Sequence, residues 1–148
     1  MSVTQETLEN SELINWTIFQ ELLLMDEDEE GFAVSLVKTF VEQATGIFQE
    51  ILDLLNVSSP SDDDLKRISS LGHYLKGSAA ALGLQVVQQE CERIQNYGNK
   101  INFDDYEPAA TAKSSSDWVE CIRSAYTNAL EGYEKSKKLL SEFFDEEL

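Results

Sequence analysis

Basic residues are scarce in this chain. Eleven Lys and Arg stand against 28 Asp and Glu, giving a formal net charge of −17. A surface of that sign repels phosphate backbones and anionic lipid headgroups, which argues against nucleic acid and membrane as partners and favours proteins with basic rims. Nowhere do 18 apolar residues run together, so no membrane span is expected. The opening MSVTQETLENSELINW has neither a basic n-region nor an apolar core, and predicts an unexported, soluble protein. Cysteine occurs twice, at Cys91 and Cys121, with no C-x-x-C spacing, which predicts reduced intracellular thiols. A lone histidine cannot assemble a metal site, so no metal ligands are expected. The phosphate loop G-x-x-x-x-G-K-[ST] is missing too, which excludes an ATP-using kinase of that type.

Proline also occurs only twice, at Pro60 and Pro108, each in a polar stretch between long periodic segments. That punctuation predicts an all-α protein. A short helix is expected from a cap at Asn15 to about Met25, burying Phe19 and Leu23. The acidic run Asp26 to Glu30 precedes a second helix whose apolar stripe passes through Ala33, Leu36, Val37, Phe40, Ala44, Phe48 and Ile51. Ser61 and three aspartates read as the start of a third helix that stops at Gly83. A fourth helix carries Leu84, Val87, Cys91, Ile94, Gly98 and Ile101. After a loop from Asn102 to Ser116, a last helix capped at Ser116 or Asp117 buries Trp118, Ile122, Ala125, Ala129, Leu140 and Phe143. The expected architecture is an antiparallel four-helix bundle with a short additional N-terminal helix. Residues 1–148 form one domain in this reading, with 1–13 a flexible N-terminal segment.

The third helix contains the histidine, in LGHYLKGSAAALGL. At about 100° per residue, His73 lies about 200° from Leu71 and Leu75, and so points away from the apolar stripe of its own helix. Its helical neighbours are Ser69, Ser70, Lys76 and Gly77, with Ala80 a turn further on, and all but the lysine are small. Gly77 costs a helix interior about 1 kcal/mol relative to alanine. A cleared face with one cation fits an imidazole that carries a bulky anionic group, with Lys76 balancing its charge and Gly77 leaving room. A plain surface histidine is the alternative from periodicity alone. A Ser-His-Asp arrangement fits poorly, because helix-surface serines lack an oxyanion hole.

The segment HYLKGSAAALG, His73 to Gly83, resembles the H-x-L-K-G-S-[SA]-x-x-[LIMV]-G signature of histidine-containing phosphotransfer (HPt) domains. CERIQNYG, Cys91 to Gly98, extends the resemblance, and INWTIF with MDEDEEGF, between Ile14 and Phe32, resembles the N-terminal part of free-standing fungal members. The resemblance implies a phosphorelay intermediate without autokinase activity. His73 would accept a phosphoryl group from a receiver-domain aspartyl phosphate and pass it to an aspartate of another receiver. It implies two partners, the receiver domain of a hybrid sensor histidine kinase and response-regulator receiver domains. By position, Lys76 would lie near the phosphoryl oxygens, Gly77 would make space, and Gln95 would hydrogen-bond the imidazole. Gln88, Glu92, Gln95 and Asn99 also form a polar stripe beside the Cys91 and Ile94 seam. No cofactor is expected on this chain, since in the family Mg²⁺ is held by the receiver partner. Fungal relatives can carry a basic residue where this sequence has Asn99, followed here by Lys100.

The first of the long apolar segments has a surplus. Ile18, Leu22 and Met25 read as a second stripe about 100° from Phe19 and Leu23. With Phe32, Leu36 and Tyr74 they are expected to form a docking surface for receiver domains, with packing inside the bundle as the alternative. A flexible Met25 suits a surface that meets several partners. The chain is expected to act as a monomer in cytoplasm and nucleus. The competing function is a helical adaptor that binds receiver-like domains without carrying phosphate.

Overall fold

A computed structural model describes residues 3–148, and they are helical almost throughout. Seven helices follow one another: α1 (Gln5–Glu9), α2 (Trp16–Met25), α3 (Phe32–Leu55), α4 (Asp62–Leu82), α5 (Gln85–Gly98), α6 (Glu107–Ala110) and α7 (Ser115–Phe144). The long elements α3, α4, α5 and α7 form the four-helix bundle, and α2 lies against α3 and α4. Their apolar faces meet in one core that includes Phe48, Ile51, Leu55, Leu65, Ile68, Leu75, Val87, Ile94, Ile122 and Leu140.

The ends of these helices follow from local chemistry. Asn15 Oδ1 accepts the Ile18 N–H at 3.4 Å at the start of α2. At α4, Ser61 and Asp64 form a reciprocal capping box. The start of α3 is capped from a distance: Gly31 precedes it in the left-handed region, φ 79°, and the Asp26 carboxylate reaches across to accept the Ala33 N–H at 2.7 Å. Of the acidic run, Asp26 therefore serves the helix directly, while Glu27 to Glu30 are exposed. At the other end of α3, Arg123 of α7 donates to the Leu55 carbonyl at 2.6 Å, placing a cation on the negative end of the helix.

The junction between α4 and α5 is tight. Gly83 has φ +75°, and a Cβ on it would stand 2.7 Å from the Asn15 carbonyl oxygen. Two backbone bonds cross here, Asn15 N–H to Gly83 O at 2.7 Å and Gln85 N–H to Leu13 O at 3.2 Å. They seat the first turn of α2 on the end of α4.

Glycine also sets the approach of α4 to α5. A Cβ at Gly98 would stand 2.8 Å from both the Leu65 carbonyl oxygen and the Ser69 Cβ, and one at Gly72 would stand 2.9 Å from Ile94 Cγ2. The two backbones therefore touch along this seam, and Ser69 Oγ crosses it to donate to the Gln95 carbonyl at 2.8 Å.

Several expectations are corrected. Residues 4–13 are not a loose segment: Thr4 caps α1 through a capping box, and Leu8 is fully buried. Met1 and Ser2 lie outside the described residues. The stretch from Asn102 to Ser116 contains α6, and α7 starts a few residues earlier than expected, because Ser114 and not Ser116 or Asp117 supplies the cap, to Asp117 N–H at 3.2 Å. Ile101 falls past the end of α5 and is exposed. This connection is held instead by Arg93, which donates to Tyr97 Oη at 3.0 Å and Asp104 at 3.1 Å and lies over the Tyr106 ring at 4.6 Å. Both cysteines are unpaired and buried, and burial pushes the Cys91 thiol up to about 12.

Gly98→Ala forces a methyl group against the α4 backbone and is expected to destabilise the bundle by about 1–3 kcal/mol, the usual cost of overpacking. Urea unfolding followed by circular dichroism measures this, and an unchanged midpoint would show that the seam can open without cost.

Candidate functional site

His73 occupies the middle of α4 and its side chain is exposed. Its neighbours along the chain explain why. Gly72 faces α5 and allows contact there, Leu71 and Leu75 enter the core, and His73 takes the remaining outward direction. Because side chains of a helix lean toward its N-terminus, the imidazole inclines over the turn containing Ser69 and Ser70. An open concavity of about 450 Å³ lies there, lined by Lys66, Ser69, Ser70, His73, Gln95 and Asn99. Among the described residues the imidazole has no hydrogen-bond partner.

Lys76, Gly77 and Gln95 surround the same stretch of α4. Lys76 is half-buried, and its Nζ donates to Gln95 Oε1 at 2.7 Å. Gln95 therefore meets Lys76, not the imidazole, through its carbonyl oxygen, which differs from the hydrogen bond expected from the sequence. The pairing has a clear cause: an ammonium group is the stronger donor, and Gln95 is held at the required height by Ser69 binding its backbone carbonyl. The Gln95 amide N–H₂ is directed away from the lysine and remains a donor. Gly77 is exposed, and a Cβ there would meet nothing within 4 Å. The fold itself does not require a glycine at that position.

Ser69 is another correction. Its place among the small residues near His73 suggested an exposed face, but it is 5 % exposed, because Gly98 lets α5 close over it. Ser70 remains exposed. Sequence reasoning also passed over Lys66, although it sits two turns before His73 on the same stripe.

The six apolar residues expected to form a docking surface separate into different environments. Met25 and Tyr74 are 49 % and 53 % exposed. Ile18 is half-buried. Phe32 and Leu36 are half-buried and rest on the core. Leu22 is only 9 % exposed and belongs to the core beside Phe19. The reason is angular: Leu22 lies about 60° from Phe19 around the helix, well inside a buried face, whereas Leu24 lies about 140° away. Leu24, not singled out from the sequence, is 59 % exposed and stands beside Met25. Leu22→Ala is therefore expected to remove about 2–4 kcal/mol of stability through the cavity it leaves. Thermal unfolding reads this directly, and a loss below about 0.5 kcal/mol would place Leu22 back on the surface.

Known proteins resemble this chain over most of its length. The Hpt domain family matches residues 35–132. Phosphorelay intermediate protein YPD1 of Candida albicans is 36% identical over 183 aligned positions, covering 95% of this chain and 97% of that protein. The protein of the same name from Saccharomyces cerevisiae is 44% identical over 91 residues, 62% of this chain and 52% of its own length. Among solved structures, Saccharomyces cerevisiae Ypd1, in its complex with the receiver domain of the response regulator Ssk1, superposes with a TM-score of 0.79 at 31% identity, covering 93% of this chain and 98% of that one. The matched span takes in α4 with His73 and α5 with Gln95, together with nearly all of α3 and more than half of α7. This chain belongs to the Hpt domain family, the histidine-containing phosphotransfer proteins.

Proposed function

We propose that the chain is a phosphorelay intermediate that takes a phosphoryl group from a receiver-domain aspartyl phosphate onto His73 and delivers it to the aspartate of a second receiver domain. The single observation that carries this reading is an exposed imidazole, on a rigid helix, facing an open polar concavity with a lysine one turn away. An adaptor that carried no phosphate would have no use for that combination.

The chemistry needs little from this chain. A neutral imidazole nitrogen directs its lone pair at phosphorus, the acyl phosphate P–O bond breaks as the N–P bond forms, and the receiver's carboxylate leaves. Delivery is the reverse of this step with a different carboxylate. Lys76 leans back toward His73 from one turn beyond it and offsets the negative charge of the bound group, while its bond to Gln95 fixes its position. The Gln95 amide N–H₂ is the neutral donor on the α5 side. Gly77 leaves open the volume into which a longer side chain would lean. The groups around the concavity are ammonium, amide, hydroxyl and imidazole, whereas Mg²⁺ takes carboxylate oxygens, so the receiver partner is assigned the metal.

Receivers are assigned to the surface bearing Met25, Leu24 and Tyr74, with Ile18, Phe32 and Leu36 at its half-buried margin. Apolar contact there can align an aspartate with the imidazole while leaving the chemistry to α4 and α5. No helix among the described residues is long and apolar enough to cross a membrane. At 16.7 kDa the chain is small, and cytoplasm and nucleus are both proposed as its compartments.

Incubation with a receiver phosphorylated on aspartate is expected to give acid-labile, base-stable label on the wild-type chain and none on His73→Gln. Label that survives this substitution would overturn the assignment. Gly77 separates fold from transfer. Gly77→Ala is expected to leave stability unchanged or raise it by up to about 1 kcal/mol. Gly77→Gln is expected to fold normally yet slow phosphoryl transfer at least about tenfold, as loss of aligned geometry does. Rates equal to wild type for Gly77→Gln would remove the steric role.

A further inference from the structure

Cations are few in this protein, and three of them lie on the helix that carries the histidine. Of the 11 Lys and Arg, α4 carries Lys66, Arg67 and Lys76, and Lys100 follows α5 directly. Two of the four are already neutralised. Arg67 binds Glu50 at 2.6 and 3.1 Å, on the α3 side, and Lys100 binds Asp62 at 2.8 Å. The Lys100 ammonium holds the Asp62 carboxyl below the usual carboxylate range, with Lys66 adding a smaller contribution. Lys76 is held by Gln95. Lys66 alone has no ion pair or hydrogen bond among the described residues, and it lines the concavity that His73 faces.

Its position on the helix matters as much as its charge. Seven residues separate Lys66 from His73, which places it about 20° around the helix and about 10.5 Å along the axis. The imidazole leans toward the helix N-terminus, so a group bonded to its outer nitrogen extends over Ser69 and Ser70 toward Lys66. Lys76 stands on the opposite side of that group. Asn99, across the cleft at the end of α5, contributes a neutral amide and cannot supply a second charge.

Resting on the phosphorelay reading above, we infer that Lys66 is a second phosphoryl-binding cation of this site, closing the end of the cleft away from Lys76. The two ammonium groups bracket the phosphoryl group along α4, so its oxygens are drawn from both ends when it resides on the imidazole. In a chain of net charge −17, local positive charge on this strip also offsets the general repulsion of an incoming phosphoryl dianion.

Phosphoramidate tests this without a protein partner. It phosphorylates imidazole directly: the P–N bond to ammonia breaks, the bond from phosphorus to the ring nitrogen forms, ammonia leaves, and the imidazole proton passes to solvent. The full chain, Lys66→Gln, Lys66→Arg and Arg67→Gln are loaded under identical conditions and followed by ³¹P NMR. Lys66→Gln is expected to load about 3- to 10-fold more slowly, the effect of removing one nearby, partly screened charge. The phosphohistidine ³¹P titration should also move to higher pH, since a lost cation no longer favours the dianion. Lys66→Arg restores both readings to within about twofold because it keeps the charge. Arg67→Gln, which lowers net charge equally but lies on the Glu50 side, behaves as wild type. If Lys66→Gln matches wild type in rate and titration while His73 labels normally, the Lys66 assignment falls and the phosphorelay reading stands. Equal losses in Lys66→Gln and Arg67→Gln also overturn it, because they reveal only a diffuse charge effect. A wild-type chain that takes no label on His73 overturns both.

Discussion

Backbone contact between α4 and α5, at Gly72, Ser69 and Gly98, governs where every group of the site stands. Larger side chains on this seam would push the two helices toward the wide end of the usual separation of about 8–10 Å and draw Gln95 away from Lys76. The glycines prevent that. Ser69 then ties the two helices through the Gln95 carbonyl, so one hydroxyl fixes the height of the residue whose side chain receives Lys76. Close packing of this kind holds the helix that carries the imidazole in place, which suits a reaction whose remaining requirements are alignment and charge.

Charge is partitioned in the same economical way. The surface as a whole is strongly acidic, and its exposed ion pairs, such as Lys38 with Glu146 and Lys135 with Glu131, contribute little individually to stability. Arg93 differs: its side chain is 15% exposed, and it joins Glu90, Asp104, Tyr97 and the Tyr106 ring into one cluster. That cluster fastens the connection after α5 to the bundle and leaves the opposite face of α5 free for Gln95. Arg93, the structural cation, thus stands on α5, while Lys66 and Lys76 stand on α4.

Much of this was legible in the sequence, and the exceptions share causes. The caps at Asn15, Ser61 and Gly83 were readable because they depend on residues within a few positions of one another. The site motif was readable because it is contiguous. What was not readable depends on a second segment. Ser69 looked exposed until α5 was placed over it, and Gln95 seemed free to meet the imidazole until Lys76 was seen to reach it. Gly98 read as one member of an apolar seam, yet its function is to admit the backbone of α4. Leu8 gave no periodic signal, since one buried residue in a five-residue helix makes no pattern. The Asp26 cap was hidden because its partner, Ala33, is seven residues away across a turn.

The seat of α2 has a consequence of its own. That helix is attached to the end of α4 by main-chain atoms, Asn15 N–H to Gly83 O and Leu13 O to Gln85 N–H, and anchored inward by Phe19 and Leu22. None of those attachments involves the outward side chains at Leu24 and Met25. Substitutions on the outer face can therefore accumulate without moving the helix or disturbing the imidazole. After a gene duplication, two copies could diverge in the proteins they recognise while both retain the same reactive centre.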